Sequence, residues 1–376
     1  MKKPLTLLIA ISIVFTFTAG LTSCSYIEDF LGDNIPRATT KPISKPAKGL
    51  SKDALLAKST LSSQGQGLYE KICKAIEKQE KDFVFQEDVK IATVKKIVAS
   101  VQADRPEYFW FESYLWYAFE GEETVEKIEF KYNCTKSERL QRQATIDAYE
   151  RDFKKGVSKN SGDYDKLKSV HDYIINHTKY DLESQDNQNI VSVMVYGESV
   201  CAGYAKSMQY LLKRMGIRCA YVNGVAKGRG SHAWNIVEIE GAYYYVDATW
   251  DDPAFGGGER QGYVSYSYFC VTTKEITKTH TADANIFKIP VCTATAANYF
   301  VRENTYFTNL ESASLSDLEA DLQASKDAGA YSFASKYSST ALMDSALEKI
   351  IRFGMFAGRT VTYSKDVDNC ILVIFL

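Results

Sequence analysis

A helix that stops on a glycine, followed by an antiparallel ribbon, constrains this chain more than any other stretch in it. Tyr204, Ala205, Met208, Leu211, Leu212 and Met215 recur at helical spacing and define a core-facing stripe. Gly216 stands where a left-handed residue closes a helix. Cys201 therefore sits at the N-terminus of that helix, where unsatisfied backbone N–H groups and the macrodipole favour a thiolate and can hold a developing oxyanion. His232 then opens an apolar strand over 233–239, Glu240-Gly241 turns it, and 243–248 returns. If that loop has an even residue count, His232 opposes Thr249 and Asp247 opposes Trp234. His232 and Asp247 are then diagonal neighbours on one face, with backbones about 7–8 Å apart. An odd loop would place them on opposite faces.

Taken singly, each of these residues has a plainer reading. A cysteine usually serves as a small buried hydrophobe, and that reading is preferred for Cys73 and Cys219. A histidine in a strand is commonly structural, and an aspartate after one commonly forms a turn or cap. Together they supply a thiol nucleophile, a base and a carboxylate that orients the base. His171 lies among apolar helix positions and is expected to pack, and His177 is near a helix end, where an imidazole meets carbonyls. His280 lies in a polar stretch, and nothing in its spacing ties it to the other three. Asp251-Asp252-Pro253 reads as a turn rather than a calcium ligand pair, because no further oxygen ligands follow at regular spacing.

The 376 residues leave room for two or three domains, and 45% hydrophobic with 24% charged residues is a globular balance. The formal net charge of −2, without a polybasic run, argues against a nucleic-acid partner. No C-x-x-C or H-E-x-x-H occurs and there are four histidines, so neither a metal nor another cofactor is expected. Eight widely spaced cysteines do not read as a small-protein disulfide framework, although an exported chain is able to pair some of them.

Lys2 and Lys3 followed by an uncharged apolar run over 5–19 read as an export signal. Leu21-Thr22-Ser23-Cys24 resembles a bacterial lipobox, which implies cleavage after residue 23, lipidation of Cys24 and anchoring on the outer face of a bacterial membrane. The expected organisation is a leader at 1–23, a tether at 24–66 with a Pro-rich stalk at 33–50, and an N-terminal α+β region at 67–157. The cysteine-bearing domain follows at 158–292, then a small α+β module at 293–376 with a β, α, α, β pattern. In the N-terminal region, helices are expected near 68–76 and 89–101, two strands around Gly121, and a charged helix over 137–153. A further helix over 163–177 opens the cysteine-bearing domain.

The strings Val200-Cys201-Ala202-Gly203-Tyr204-Ala205, His232-Ala233-Trp234-Asn235 and Val246-Asp247-Ala248-Thr249-Trp250-Asp251 resemble the transglutaminase-like superfamily. The stretch from Lys168 with Tyr180-Asp181, and Tyr268-Phe269 with His280, extend the likeness over roughly 158–292. Pro106 to Trp110 is similar, more weakly, to the leader of exported bacterial members. One departure is Ser199, where a glycine often precedes the cysteine by two. The resemblance implies an α+β, papain-like core with a helix-borne cysteine and an antiparallel sheet, flanked by small α+β modules. It assigns nucleophile, base and orienting acid to Cys201, His232 and Asp247, and implies acyl chemistry through a thioester on a peptide, protein or cell-wall peptide substrate. Water as acceptor makes a cysteine protease or amidase, the favoured reading. An amine acceptor makes a protein-glutamine transglutaminase, and a site without chemistry leaves a surface binding module.

Overall fold

The computed structural model describes residues 56–253, 263–283 and 288–376. The expected leader, the stalk and Cys24 lie outside the described residues. Ser62 caps α1 (Ser63–Glu77), its hydroxyl accepting from the Gly65 amide, and Leu68, Ile72, Cys73 and Ile76 turn inward as their spacing predicts. β1 (Asp82–Val84), α2 (Ile91–Asp104), β2 (Phe111–Tyr117) and β3 (Lys127–Tyr132) follow, and the strands form an antiparallel sheet in the order β1-β3-β2. β1 was not expected, because three residues are too few to show alternation. β2 begins at Phe111, just after Trp110, whose indole donates to the Ile76 carbonyl near the end of α1 (3.0 Å). A Thr135/Glu138 capping box starts α3 (Lys136–Lys155), and α4 (Asp163–His177) has the limits its apolar face suggests.

β4 (Lys179–Tyr180) and β5 (Glu198–Ser199) pair in parallel and deliver the chain to α5 (Cys201–Arg214). Then come β6 (Cys219–Ala226), β7 (Gly230–Ile239), β8 (Ala242–Val246), β9 (Phe269–Val271), the short α6 (Thr273–Ile276) and β10 (His280–Ala282). Their sheet runs β10-β6-β7-β8-β9, antiparallel throughout. The β7–β8 turn is Glu240-Gly241, both at positive φ (52° and 81°), the geometry that matches the twist of the flanking strands. Asn235 pairs with Val246 and Ile236 with Tyr245, which is the even-loop register. α5 buries Tyr204, Met208, Leu211 and Leu212. The same hydrophobic cluster includes Ile72 of α1, Ile97 of α2, Ile128 of β3 and Ile174 of α4, so the N-terminal helices and sheet share one core with the cysteine-bearing part.

The C-terminal module contains α7 (Tyr299–Arg302), β11 (Tyr306–Phe307), α8 (Ser312–Asp327), β12 (Ser332–Tyr337), α9 (Thr340–Ile350), β13 (Thr362–Asp366) and β14 (Ile371–Phe375). Its sheet, β11-β12-β14-β13, covers a core of its own that includes Leu318, Phe333, Met343, Ile350 and Leu372. The β, α, α, β expectation missed two strands. β12 places Ser335 and Lys336 in buried positions, and the edge strand β13 is polar and largely exposed, so neither shows an apolar pattern. Lys336 gains its burial by pairing with Glu275 of α6, and Lys278 reaches the Asp368 carbonyl; these contacts tie the module to the central sheet. A cavity of about 530 Å³ along this seam is lined by Trp250, Ser267, Tyr268, Lys365, Asp366 and Asp368, among others. Among the described residues no helix is long and apolar enough to cross a membrane.

Candidate active site

Cys201 is the first residue of α5, behind an extended Val200, and is 6% exposed. The loop that aims it is fixed by close packing. Ser199 and Ser192 bond hydroxyl to hydroxyl at 2.6 Å, and Ser192 also donates to the Asn189 carbonyl. A Cβ on Gly203 would lie 1.9 Å from Ser199 Oγ and 2.5 Å from Ser192 Oγ, so only glycine lets the first turn of α5 settle on this pair. Ser199, the departure from the commoner glycine, thus fills space that Gly203 vacates. The seven described cysteines are all free thiols. Burial pushes the Cys73 thiol up to about 11 and the Cys219 thiol higher still.

His232 on β7 and Asp247 just after β8 meet as the register requires, with Nε2 2.6 Å from Asp247 Oδ2. Cys201 is close enough to the ring to favour its cation. Burial opposes the His232 cation. The Asp247 charge and hydrogen bond, together with Cys201, outweigh it and hold the imidazole up at about 10. Burial likewise pushes the Asp247 carboxyl up, yet His232 and His280 overcome this and keep it far below the ordinary carboxylate range. Each carboxylate oxygen has two donors. Oδ1 accepts from the Thr249 and Trp250 amides (2.9 and 3.2 Å), and Oδ2 accepts from His232 and from His280 Nε2 (3.0 Å). Nothing in the spacing of His280, 33 residues from Asp247 in a polar stretch, ties it to the site; β10 brings it in across the sheet. The ligand atoms of His232, Asp247 and His280 lie within 4.8 Å of one another. Both imidazoles meet the carboxylate oxygen directly, so the three form a hydrogen-bonded relay and not a ligand set around a gap.

The geometry joins a thiol at a helix tip, an imidazole and a carboxylate in that order. The model of the transglutaminase-like superfamily matches residues 151–248, which hold all three. These residues form a transglutaminase-like core. Kyphoscoliosis peptidase of Mus musculus is 29% identical over 104 residues, and that of Homo sapiens 28% over 104 residues; each alignment covers 23% of this chain and 16% of the relative. The chain therefore spans about a sixth of these relatives' length. A solved TGase structure covers 48% of this chain and 52% of its own, at 15% identity and a TM-score of 0.29.

The rest of the transglutaminase-like motif has structural work to do. Asn235 donates to the Ala205 carbonyl of α5 and the Ala220 carbonyl of β6 (3.0 and 3.2 Å), locking the cysteine helix to the strand that bears His232. Asp251, read as a turn residue, is buried; it accepts from the Tyr268 amide and meets His171 Nε2 at 3.1 Å. His171 is buried as expected, but as the partner of Asp172 and Asp251 rather than as apolar filler. Asp252 accepts from the Tyr204 hydroxyl (2.8 Å), and His177 meets the Tyr173 carbonyl as its helix-end position suggests. Beside the thiol, Tyr221 packs with Cys201, Ala205 and Ala233, and Lys206 lies over the Tyr221 ring while donating to the Gln188 carbonyl. Burial brings the Lys206 ammonium down to about 8.

Proposed function

We propose that the chain is a thiol enzyme that cleaves amide bonds of peptides or proteins through a thioester on Cys201. The observation that carries this reading is one imidazole, His232, held between Asp247 and a thiol at the head of α5. Cys201 Sγ bonds to the carbonyl carbon while the first amides of α5 face the developing oxyanion. As the C–N bond breaks, the protonated His232 gives its proton to the leaving amine. Water then attacks the thioester, His232 takes its proton, and the acid leaves with the thiol restored. Asp247 keeps the ring oriented and its cation stabilised. Water is favoured as acceptor by the matched relatives, which are named peptidases. Profiling a peptide library should show cleavage by the wild type and none by Cys201→Ala. Parallel incubation with a fluorescent primary amine and a Gln-rich protein should show no incorporation. Cys201-dependent incorporation without cleavage would make the protein a transglutaminase, and a wild type as inert as Cys201→Ala would make it a binding module.

We also propose that Cys24 carries a lipid that holds the enzyme on the outer face of a bacterial membrane, on the strength of the lipobox-like ending and the Pro-rich stretch after it. Fed a labelled fatty acid, cells expressing the full chain should label it. Label that persists in Cys24→Ala would refute the anchor.

A further inference from the structure

The proposed chemistry uses one imidazole and leaves a second, equally buried one on the same carboxylate oxygen. We infer that His280 is a positioning residue for the Cys201–His232 pair, acting through Asp247; the inference rests on the catalytic reading above. A carboxylate only accepts, so His280 Nε2 carries a proton and donates it to Oδ2. The other nitrogen, Nδ1, meets the Thr279 hydroxyl at 2.8 Å, and that hydroxyl lies 3.3 Å from the Tyr268 hydroxyl, so the ring is held at both ends. With the Thr249 and Trp250 amides on Oδ1, the His280 bond stops the carboxylate from turning and thereby sets the plane of His232.

The sheet is shaped to make this contact. Gly224 on β6 pairs with His232 on one side and with Ala282 of β10 on the other. A Cβ there would sit 2.1 Å from the Thr281 carbonyl oxygen and 2.9 Å from the Trp234 ring. The missing side chain lets β10 approach and carries His280 to within 5.3 Å, ring to ring, of His232. Trp234, Trp250 and Tyr268 close around the His280 ring and exclude water from the shared oxygen. The other titratable or charged groups facing this relay are Cys201 on α5, Tyr221 on β6, Tyr180 on β4 with Arg229 near it, and Asp251 backed by His171.

The test is the rate of alkylation by iodoacetate across pH, on the full chain, read at Cys201 by peptide mapping. Iodoacetate is an anion drawn to the imidazolium, so the alkaline fall in rate reports His232 losing its proton. His280→Phe keeps an aromatic ring in the pocket but removes the donor; its rate should fall about tenfold to a hundredfold, the scale of a small misplacement. Its alkaline limb should move to higher pH, because Asp247 then gives His232 more of its charge. His280→Gln retains an N–H near Nε2 and should restore most of the rate. Thr279→Val leaves the ring and removes its Nδ1 partner, and should shift the limb the same way by less. A folded His280→Phe with the wild-type rate and profile overturns the inference, as does a His280→Gln no better than His280→Phe. Should either His280 variant fail to fold, an unchanged profile in Thr279→Val overturns it alone. If wild-type Cys201 reacts no faster than Cys73 and His232→Ala changes nothing, the thiol–imidazole reading falls as well; if those controls hold, only the role of His280 is at stake.

Discussion

His232→Ala should lower Cys201-dependent amide cleavage roughly 10⁴-fold or more, or about 5.5 kcal/mol of transition-state stabilisation. The size follows from the number of tasks on one ring. His232 is buried and cationic near neutrality, so in the proposed reaction it would offset charge on the attacking sulfur and supply the proton that the leaving amine requires. No neighbour takes over. His280 is on the same carboxylate, but its two nitrogens are engaged by Asp247 and Thr279. Lys206 is turned to the Gln188 carbonyl. Because thiol and imidazole act as a unit, Cys201→Ala combined with His232→Ala should be no worse than Cys201→Ala alone. Steady-state cleavage of the best library peptide checks both points. A single variant that keeps a tenth of wild-type kcat, or a double variant that loses the sum of the two, would contradict the relay.

Gly203→Ala should be among the most damaging single-methyl changes near the site. The added carbon would enter the space of Ser199 Oγ and Ser192 Oγ, both on fully buried residues. Overpacking of this kind costs roughly 1–3 kcal/mol, occasionally more. It also displaces the first turn of α5, so the alkylation rate of Cys201 should fall along with the unfolding midpoint in urea. The cause can be isolated by making room. Ser192→Ala with Ser199→Gly removes the obstructing atoms, and Gly203→Ala in that background should cost far less than it does in the wild type. Equal cost in both backgrounds would show that the two serines are not the obstacle.

Much of the site was legible because its parts are local. The stripe from Tyr204 to Met215, closed by Gly216, identifies a helix and puts Cys201 at its start. Glu240-Gly241 between two apolar runs specifies a two-residue turn, and that turn alone fixes the parity by which His232 and Asp247 share a face. Side-chain period and turn length are properties of neighbouring residues, so they can be read along the chain. The strands β1, β12 and β13 had no such signature, since three residues, the buried polar Ser335 and Lys336, or a polar edge show no apolar alternation.

What required the tertiary structure is whatever depends on strands distant in sequence lying side by side. His280 reaches Asp247 only because Gly224 lets β10 approach β6, and neither residue's neighbourhood announces the other. The same holds for His171 and Asp251, 80 residues apart, and for Gly203 against Ser192 and Ser199, which look unremarkable until the helix packs down on them. The chain alone pointed to Cys201, His232 and Asp247 as the candidate triad and put two of them on one face. Packing decided what holds them still, because burial removes water as the competing partner and leaves each polar atom to the neighbour the fold supplies.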